Sequence, residues 1–244
     1  MSLASKFRSA SVSQGTADRS GVNLDSASPS GASASSRVSR RLVFGAIGAL
    51  LLGGIAAGLW FGLLRDNFVP KRFGTVVAGK VYRSGQISRR LIGGVIDQYH
   101  IGTIIDLNGL DISDRDQQAE IAVSASKGVE HFCFPLRGNA EGRIERYADA
   151  VETLVRSERR GVPVLVHCSA GAQRTGACVA FYRLLVRGEP AESVYAELPR
   201  YGWDPKTDQI LIDYANSNMR TLAELLVGRH VIERVPDKLP QLHP

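Results

Sequence analysis

A cysteine and an arginine lie six positions apart in one stretch of this chain, at Cys168 and Arg174, and the residues between them are small or polar. The stretch 162–176 reads VPVLVHCSAGAQRTG, which predicts a strand up to His167, a short loop, and a helix over 177–187. A thiolate is a nucleophile, and a planar guanidinium fork can hold two oxygens of a tetrahedral oxyanion. Strand, loop and helix in this order also direct backbone N–H groups toward one point. The pattern therefore predicts attack of sulfur on the phosphorus of a bound anion.

Neighbouring residues suit the same chemistry. Loop amides, the helix N-terminus and Arg174 are expected to lower the pKa of Cys168. Glycine at position 171 lets the backbone curl around an anion, and the Thr175 hydroxyl can donate to sulfur when sulfur leaves in a second step. His167 is expected to support the loop by a hydrogen bond. We predict a phosphate-binding loop made of Ser169, Ala170, Gly171, Ala172, Gln173 and Arg174.

Only one of the three cysteines has this spacing, because neither Cys133 nor Cys178 is followed by an arginine six residues later. The competing interpretation of Cys168 is a buried structural cysteine before a helix-capping loop. The preceding histidine, the glycine at the third loop position and the Arg-Thr-Gly ending favour the catalytic interpretation. Three cysteines without a CxxC pair argue against both a disulfide framework and a zinc site.

The residues around Cys168, together with three other segments, resemble those of a known family. HCSAGAQRTG, residues 167–176, is similar to the HCxxGxxRTG signature loop of the cysteine-dependent dual-specificity and tyrosine phosphatases. VYRSGQ, residues 81–86, resembles the segment that opens the compact bacterial members, and residues 104–109 and 134–136 lie where that group has strands. The resemblance covers about residues 74–200. It implies a protein tyrosine phosphatase-like fold, a phosphocysteine intermediate, a phosphorylated protein or other phosphomonoester as substrate, and no metal or other cofactor.

The general acid is the part of the pattern that this sequence lacks. The resemblance implies a carboxylic acid in the loop 137–142, which protonates the leaving oxygen and then activates water. That loop has no aspartate; Glu141 is the first candidate and Glu145 the second. Either glutamate is equally explained as a solvated charge near a helix start. Gln173 is a further departure, because related bacterial loops often carry aspartate just before the arginine.

Strand-forming runs alternate with amphipathic helices, which predicts an α/β fold with a central, mostly parallel sheet flanked by helices. The chain is expected to comprise a disordered tail rich in Ser, Ala and Gly (1–41), a transmembrane helix (42–64), a linker (65–73), a phosphatase-like catalytic domain (74–230) and an extended C-terminal tail (231–244).

The segment 42–64 has no charged residue and no proline. It is long enough to span a bilayer as a helix, and it is too long and too far from the N-terminus for a signal-peptide core. Arginines flank both of its ends, so the positive-inside rule nearly balances. We therefore predict a single-pass membrane protein and leave open the side on which the catalytic domain lies.

The formal net charge of +6 suits an anionic substrate or membrane surface. Basic and aromatic residues are not interleaved, so no nucleic-acid partner is predicted. The preferred function is a membrane-anchored phosphatase, of phosphotyrosine or dual specificity. Three alternatives stay open: a phospho-binding pseudophosphatase with low turnover, suggested by the missing aspartate; a rhodanese-like sulfurtransferase, which the Arg-Thr-Gly ending disfavours; and a structural membrane protein with an incidental motif.

Overall fold

The computed structural model describes residues 35–60 and 64–243, so residues 1–34 of the tail predicted over 1–41 lie outside them, and its residues 35–41 are helical. The chain divides into two compact units, residues 1–53 and 54–244. Helix α1 spans Ser35–Leu59, so it begins before residue 42, where the membrane helix was predicted to begin. Within α1, the 18 residues Leu42–Leu59 have a mean hydropathy of 2.2 and none of them is buried. Length and composition make this segment a candidate membrane span, although signal sequences and buried core helices satisfy the same test.

Five strands form one mixed sheet in the order β1-β2-β5-β3-β4. β1 is antiparallel to β2, and the other neighbours are parallel. The predicted α/β class with a mostly parallel sheet is confirmed, whereas the short edge strand β1 was not predicted. The central strand β5 is buried at every position, as expected for a parallel strand covered on both faces. The strands are β1 (Gly74–Val77), β2 (Val81–Gly85), β3 (Thr103–Asp106), β4 (Glu130–Cys133) and β5 (Val164–Cys168).

Among the described residues, six α-helices follow α1 along the chain. The helix after the phosphate-binding loop begins at Gln173 rather than at residue 177, because the N–H of Gly176 already bonds to the carbonyl of Ala172 at 2.8 Å. Arg174 therefore lies in the first helical turn. The helices are α2 (Ile92–Tyr99), α3 (Arg115–Lys127), α4 (Ile144–Arg159), α5 (Gln173–Phe181), which continues as a π-helical turn (Tyr182–Val186), α6 (Ala191–Glu197) and α7 (Ile210–Gly228).

The strands contribute alternate residues to two hydrophobic clusters, as the two-residue period of a strand requires. In β5, Val164, Val166 and Cys168 join the larger cluster, which contains residues of α4, α5 and α7. Leu165 joins the smaller cluster with residues of α2. His167 alternates with Cys168, so it faces the side of the sheet opposite to the cysteine. This alternation decides which helices can contact each of the two residues.

The C-terminal segment after α7 contains neither helix nor strand over residues 229–243. It nevertheless packs on the domain, because Val231 and Leu242 are buried in the larger cluster. The amide side chain of Asn216 bonds to both the carbonyl and the N–H of Leu242, at 2.9 and 2.8 Å.

Candidate active site

Cys168 is the last residue of β5, where a parallel strand delivers its side chain to the carboxyl edge of the sheet. The side chain is 1% exposed. The N–H of Gly171 donates to Sγ at 3.2 Å, so the loop folds back over the sulfur. The strand, the loop and the N-terminus of α5 thus surround the thiol that the sequence pattern singled out.

The surroundings of this thiol favour its thiolate form. Burial by itself raises the pKa of Cys168, because it removes water from the charged form. The hydroxyl and N–H of Thr175 and the positive charge of Arg174 outweigh that effect. The N–H of Gly171 adds to them, and the pKa lies below its ordinary value. The Thr175 hydroxyl is buried and has no hydrogen bond of good geometry among the described residues, which leaves it available to donate to the nearby sulfur.

Hydrogen bonds to Leu107 and Ser169 hold the side chain of Arg174 in place. Its Nη1 donates to the carbonyl of Leu107 at 3.2 Å, and its Nη2 donates to Ser169 Oγ at 3.3 Å. Its Nε is buried without a partner among the residues described. Ser169 and Arg174 line a cavity of about 170 Å³. The guanidinium therefore presents a donor that a bound oxyanion would satisfy.

Three successive loop carbonyls are held by groups outside the loop. The carbonyl of Ser169 accepts from the N–H of Gln86 at 3.1 Å. The carbonyl of Ala170 accepts from Arg72 Nη1 at 2.8 Å, and that of Gly171 accepts from Arg83 Nη2 at 3.0 Å. These carbonyls are engaged by donors outside the loop, while the N–H of Gly171 is directed to the Cys168 sulfur. This arrangement is a nest for an anion.

Two glycines allow the loop to contact β2. Gly171 has φ of 77°, a conformation that favours glycine. A Cβ at this position would lie 2.4 Å from the backbone nitrogen of Gly85 and 2.6 Å from the carbonyl carbon of Ser84. A Cβ on Gly85 would lie 2.8 Å from the carbonyl oxygen of Ala170. The YRSGQ segment therefore packs directly against the phosphate-binding loop.

Arg83, which belongs to that segment, is 1% exposed. Its Nη1 lies 3.3 Å from Glu197 Oε1, and its guanidinium carbon lies 3.8 Å from the ring centroid of Tyr201. Burial lowers the pKa of this arginine and the charge of Glu197 opposes the shift. Since Arg83 also holds the Gly171 carbonyl, it joins the loop to the segment after α6.

His167 was predicted to support the loop by a hydrogen bond, and its partner is Glu120, which the sequence did not indicate. His167 Nε2 lies 2.9 Å from Glu120 Oε1 on α3. The same oxygen lies 3.0 Å from His131 Nε2 on β4. With Asp106, these side chains form the one group of potential metal ligands found among the described residues, all within 4.8 Å of one another. The close pairs are carboxylate–imidazole hydrogen bonds, so we assign the group to a hydrogen-bond network.

The acid candidates lie apart from the nucleophile. Glu141 accepts from Asn139 Nδ2 at 2.8 Å and lines a cavity of about 540 Å³ with Arg137, Arg143 and Tyr214 among its walls. That cavity and the one lined by Arg174 share Gly109, but the residues lining the Arg174 cavity do not include Glu141. The structure thus places Glu141 beside the site without bringing it to the phosphate-binding loop.

Glu145 is held in a different arrangement. Its Oε2 lies 3.4 Å from Arg143 Nε, and its side chain is 46% exposed. Hydrogen bonding to its own N–H and the charge of Arg143 lower its pKa. A carboxylate that stays ionised in this way is poorly suited to donate a proton.

Gln173, the residue that replaces the expected aspartate, has an acidic partner. Its Nε2 donates to Asp208 Oδ1 at 2.8 Å. Asp208 also accepts at Oδ2 from the N–H of Asp204 at 3.0 Å. The amide therefore links the first turn of α5 to the segment before α7.

Sequence reasoning missed several residues that shape the loop, namely Arg83, Gln86, Asn108 and Glu120. The first three lie in segments that resemble the phosphatases, but that resemblance assigned them no role. Glu120 had one available signal. The buried positions of α3 are Gln117, Glu120 and Ser124, which share one helical face, so this helix presents a polar stripe to the domain interior.

Comparisons with known proteins agree with this geometry. The family described as "Tc-R-P: Polymorphic toxin system, DSP-PTPase phosphatase" has a model that matches residues 93–189. The match contains β3, β4 and β5 together with the whole phosphate-binding loop. It supports a phosphatase domain of the cysteine-dependent kind over this part of the chain.

Solved structures share the fold at low sequence identity. The crystal structure of TpbA from P. aeruginosa is 19% identical, covers 63% of this chain and 88% of its own, and has a TM-score of 0.50. A second structure of that protein, in complex with pTyr, has the same identity and TM-score and covers 63% of this chain and 87% of its own. The core catalytic domain of the PP-IP phosphatase SIW14 from S. cerevisiae, in complex with citrate, is 18% identical, covers 67% and 95%, and has a TM-score of 0.52. These similarities identify a domain with the tyrosine phosphatase fold, and the family match supports phosphatase activity.

Proposed function

We propose that this chain is a cysteine-dependent phosphatase that hydrolyses a phosphomonoester through a phosphocysteine intermediate. The observation that carries the proposal is the loop after β5. There a buried Cys168 with a lowered pKa accepts from the N–H of Gly171, and the guanidinium of Arg174, six residues later, donates to the hydroxyl of Ser169 next to the cysteine. The family match over residues 93–189 supports the same activity and favours it over a sulfurtransferase.

In the first step, the Cys168 thiolate attacks phosphorus, a sulfur–phosphorus bond forms and the bond to the leaving oxygen breaks. Arg174 and the loop N–H groups hold the phosphoryl oxygens, whose charge is stabilised in the transition state. The leaving oxygen takes a proton from a carboxylic acid, for which Glu141 is the proposed group. In the second step, the carboxylate left on Glu141 takes a proton from water, the water oxygen bonds to phosphorus, and sulfur leaves as thiolate, assisted by the Thr175 hydroxyl.

The proposed substrates are phosphotyrosine or other phosphorylated side chains, in keeping with dual specificity. One structural neighbour is in complex with pTyr, and another is described as a PP-IP phosphatase. The fold therefore accepts both kinds of phosphorylated ligand in those proteins. The apolar helix Leu42–Leu59 supports attachment to a membrane, and we propose a single-pass anchor.

A specific observation favours a second candidate, a phospho-binding protein with low turnover. Glu141 and Arg174 line different cavities, and Glu145 is paired with Arg143. A loop of this kind would bind a phosphorylated partner without rapid hydrolysis if no acid reached it.

Phosphate release by the full-length chain in detergent separates the two candidates. An aryl phosphate and a phosphotyrosine peptide are offered across a pH range to the wild type, Cys168→Ser and Glu141→Gln. Turnover by the wild type that disappears in Cys168→Ser supports the phosphatase. No release by the wild type, with phosphopeptide still bound by Cys168→Ser, would reject the enzyme and support the binding protein.

A further inference from the structure

Helix α3 packs against the domain with a polar face. Its buried residues are Gln117, Glu120 and Ser124, and Glu120 is fully buried. A carboxylate removed from water destabilises a protein unless charges and hydrogen bonds compensate for the lost hydration. The partners of Glu120 therefore indicate the role of the polar face of α3.

Each oxygen of Glu120 is used. Oε1 bonds to His167 Nε2 at 2.9 Å and to His131 Nε2 at 3.0 Å. Oε2 accepts from Gln86 Nε2 at 3.2 Å. One carboxylate thus joins α3 to β4, to β5 and to the segment after β2.

Two of these connections continue into the phosphate-binding loop. His167 immediately precedes Cys168 in the chain. Gln86 Oε1 accepts from Asn108 Nδ2 at 3.3 Å, and Asn108 Oδ1 in turn accepts from both the N–H and the hydroxyl of Ser169, each at 2.8 Å. Glu120 therefore reaches both sides of Cys168, through the residue before it and the residue after it.

Carboxylates face both nitrogens of His167. Nε2 bonds to Glu120, and Nδ1, which has no hydrogen bond among the described residues, lies 4.0 Å from Asp106 Oδ1. Burial lowers the pKa of His167, but Glu120, then Asp106 and the Cys168 thiolate, raise it above its ordinary value. Two residues of β4 also face the carboxylates of this network, His131 at Glu120 and Cys133 near Asp106 and Glu120. This is the environment of a doubly protonated imidazolium.

We propose that Glu120 is a positioning residue for the nucleophile: it holds His167 as an imidazolium behind Cys168 and anchors Ser169 through Gln86 and Asn108. The inference rests on the proposed function, because it gives Glu120 a part in preparing Cys168 for attack. Besides His167, the titratable and charged groups around the thiol are Arg174, Arg83, Tyr147 and Cys178.

The test measures thiol reactivity without a substrate. Full-length wild type, Glu120→Gln and Glu158→Gln in detergent are alkylated with iodoacetamide across a pH range, and each cysteine peptide is quantified by mass spectrometry. Glu158 is a matched control, since it is a poorly exposed carboxylate that accepts from the Tyr182 hydroxyl at 2.8 Å and pairs with Lys80 and Arg187. We expect the midpoint for Cys168 to rise by about one pH unit in Glu120→Gln, because His167 loses its counter-charge. It should not move in Glu158→Gln.

Cys178 is fully buried and reports whether the fold has opened. A shifted midpoint with Cys178 still protected supports the proposal, and an unshifted midpoint overturns it. If Cys178 becomes labelled in Glu120→Gln, the wild type itself decides, by ¹⁵N NMR titration of its five histidines. An imidazole that keeps both nitrogens protonated well above pH 7 supports the proposal, and titration of all five near the ordinary value of about 6.5 overturns it. A wild type that releases no phosphate, with a midpoint that shifts as expected in Glu120→Gln, would reject the proposed function and leave this inference standing.

Discussion

The phosphate-binding loop and the acid loop 137–142 are held in different ways. Long-range contacts fix the first: its carbonyls accept from Arg72, Gln86 and Arg83, which lie far away in the sequence. The second combines bonds among its own residues, such as that from the Arg137 N–H to the Glu141 carbonyl at 2.8 Å, with bonds from two tyrosine hydroxyls to the carbonyls of Ala140 and Gly142. Ala140 is buried in the core, whereas Arg137 and Gly138 are exposed, so the exposed part of this loop can shift with less disturbance of the core.

The difference concerns what each loop must do. Stabilising a transition state needs donors that are already in place, because reorganising them costs free energy at the moment of reaction. An acid that approaches after the substrate binds can be on a segment that moves. We therefore infer that anion binding and nucleophile activation are built into the fold, whereas proton donation depends on the position of the acid loop.

Replacement of Cys168 by serine should have the largest effect. The hydroxyl is not ionised near neutral pH, so the loop would still bind an anion but would lack a nucleophile. We expect phosphate release to fall by roughly 10⁴-fold or more. Phosphopeptide binding by calorimetry should stay within about threefold, because the loop donors are unchanged. Retained turnover would show that another group attacks phosphorus.

Arg174→Lys tests the geometry of the anion site separately from its charge. Lysine keeps the positive charge but loses the fork that bonds to both Leu107 and Ser169. We expect kcat/KM to fall by roughly 10³-fold. A loss of less than about threefold would show that charge alone suffices and that the fixed loop gives no advantage.

Gly171→Ala and Gly138→Ala compare the two loops directly. At Gly171 the new Cβ meets the backbone of β2 and φ is positive, so the loop must shift or be strained by about 2 kcal/mol. At Gly138, in the acid loop, no atom lies within 4 Å of the position of a new Cβ. We expect kcat/KM to fall by about 10²-fold for Gly171→Ala and by less than threefold for Gly138→Ala. Equal losses would contradict the contrast between a fixed and an adaptable loop.

The residues of the phosphate-binding loop were easier to predict from the sequence than the residues that hold this loop in place. Cys168, Arg174 and Gly171 are close in the chain, so spacing alone brings them together. Arg83 contacts the loop, and Glu120 reaches it through Gln86 and Asn108, only because β2, β3 and β5 are neighbours in the sheet. The order of strands in a sheet cannot be deduced from local periodicity. A buried glutamate also resembles a surface glutamate until the polar face of α3 is known to point inward.

Glu141→Gln should have the smallest effect and sharpens the account of the acid loop. Glutamine keeps the bond to Asn139 but cannot donate a proton as an acid. An alkyl phosphate, whose leaving group needs protonation, should then be hydrolysed about tenfold more slowly. An aryl phosphate with an acidic leaving group should be hydrolysed at nearly the wild-type rate. Glu145→Gln is the matched control: its carboxylate is paired with Arg143, so neither substrate should respond. If the alkyl and aryl phosphates lose rate equally in Glu141→Gln, this residue shapes the cavity and does not transfer the proton. If only Glu145→Gln discriminates between them, the ion pair with Arg143 must open during turnover and the second glutamate is the acid.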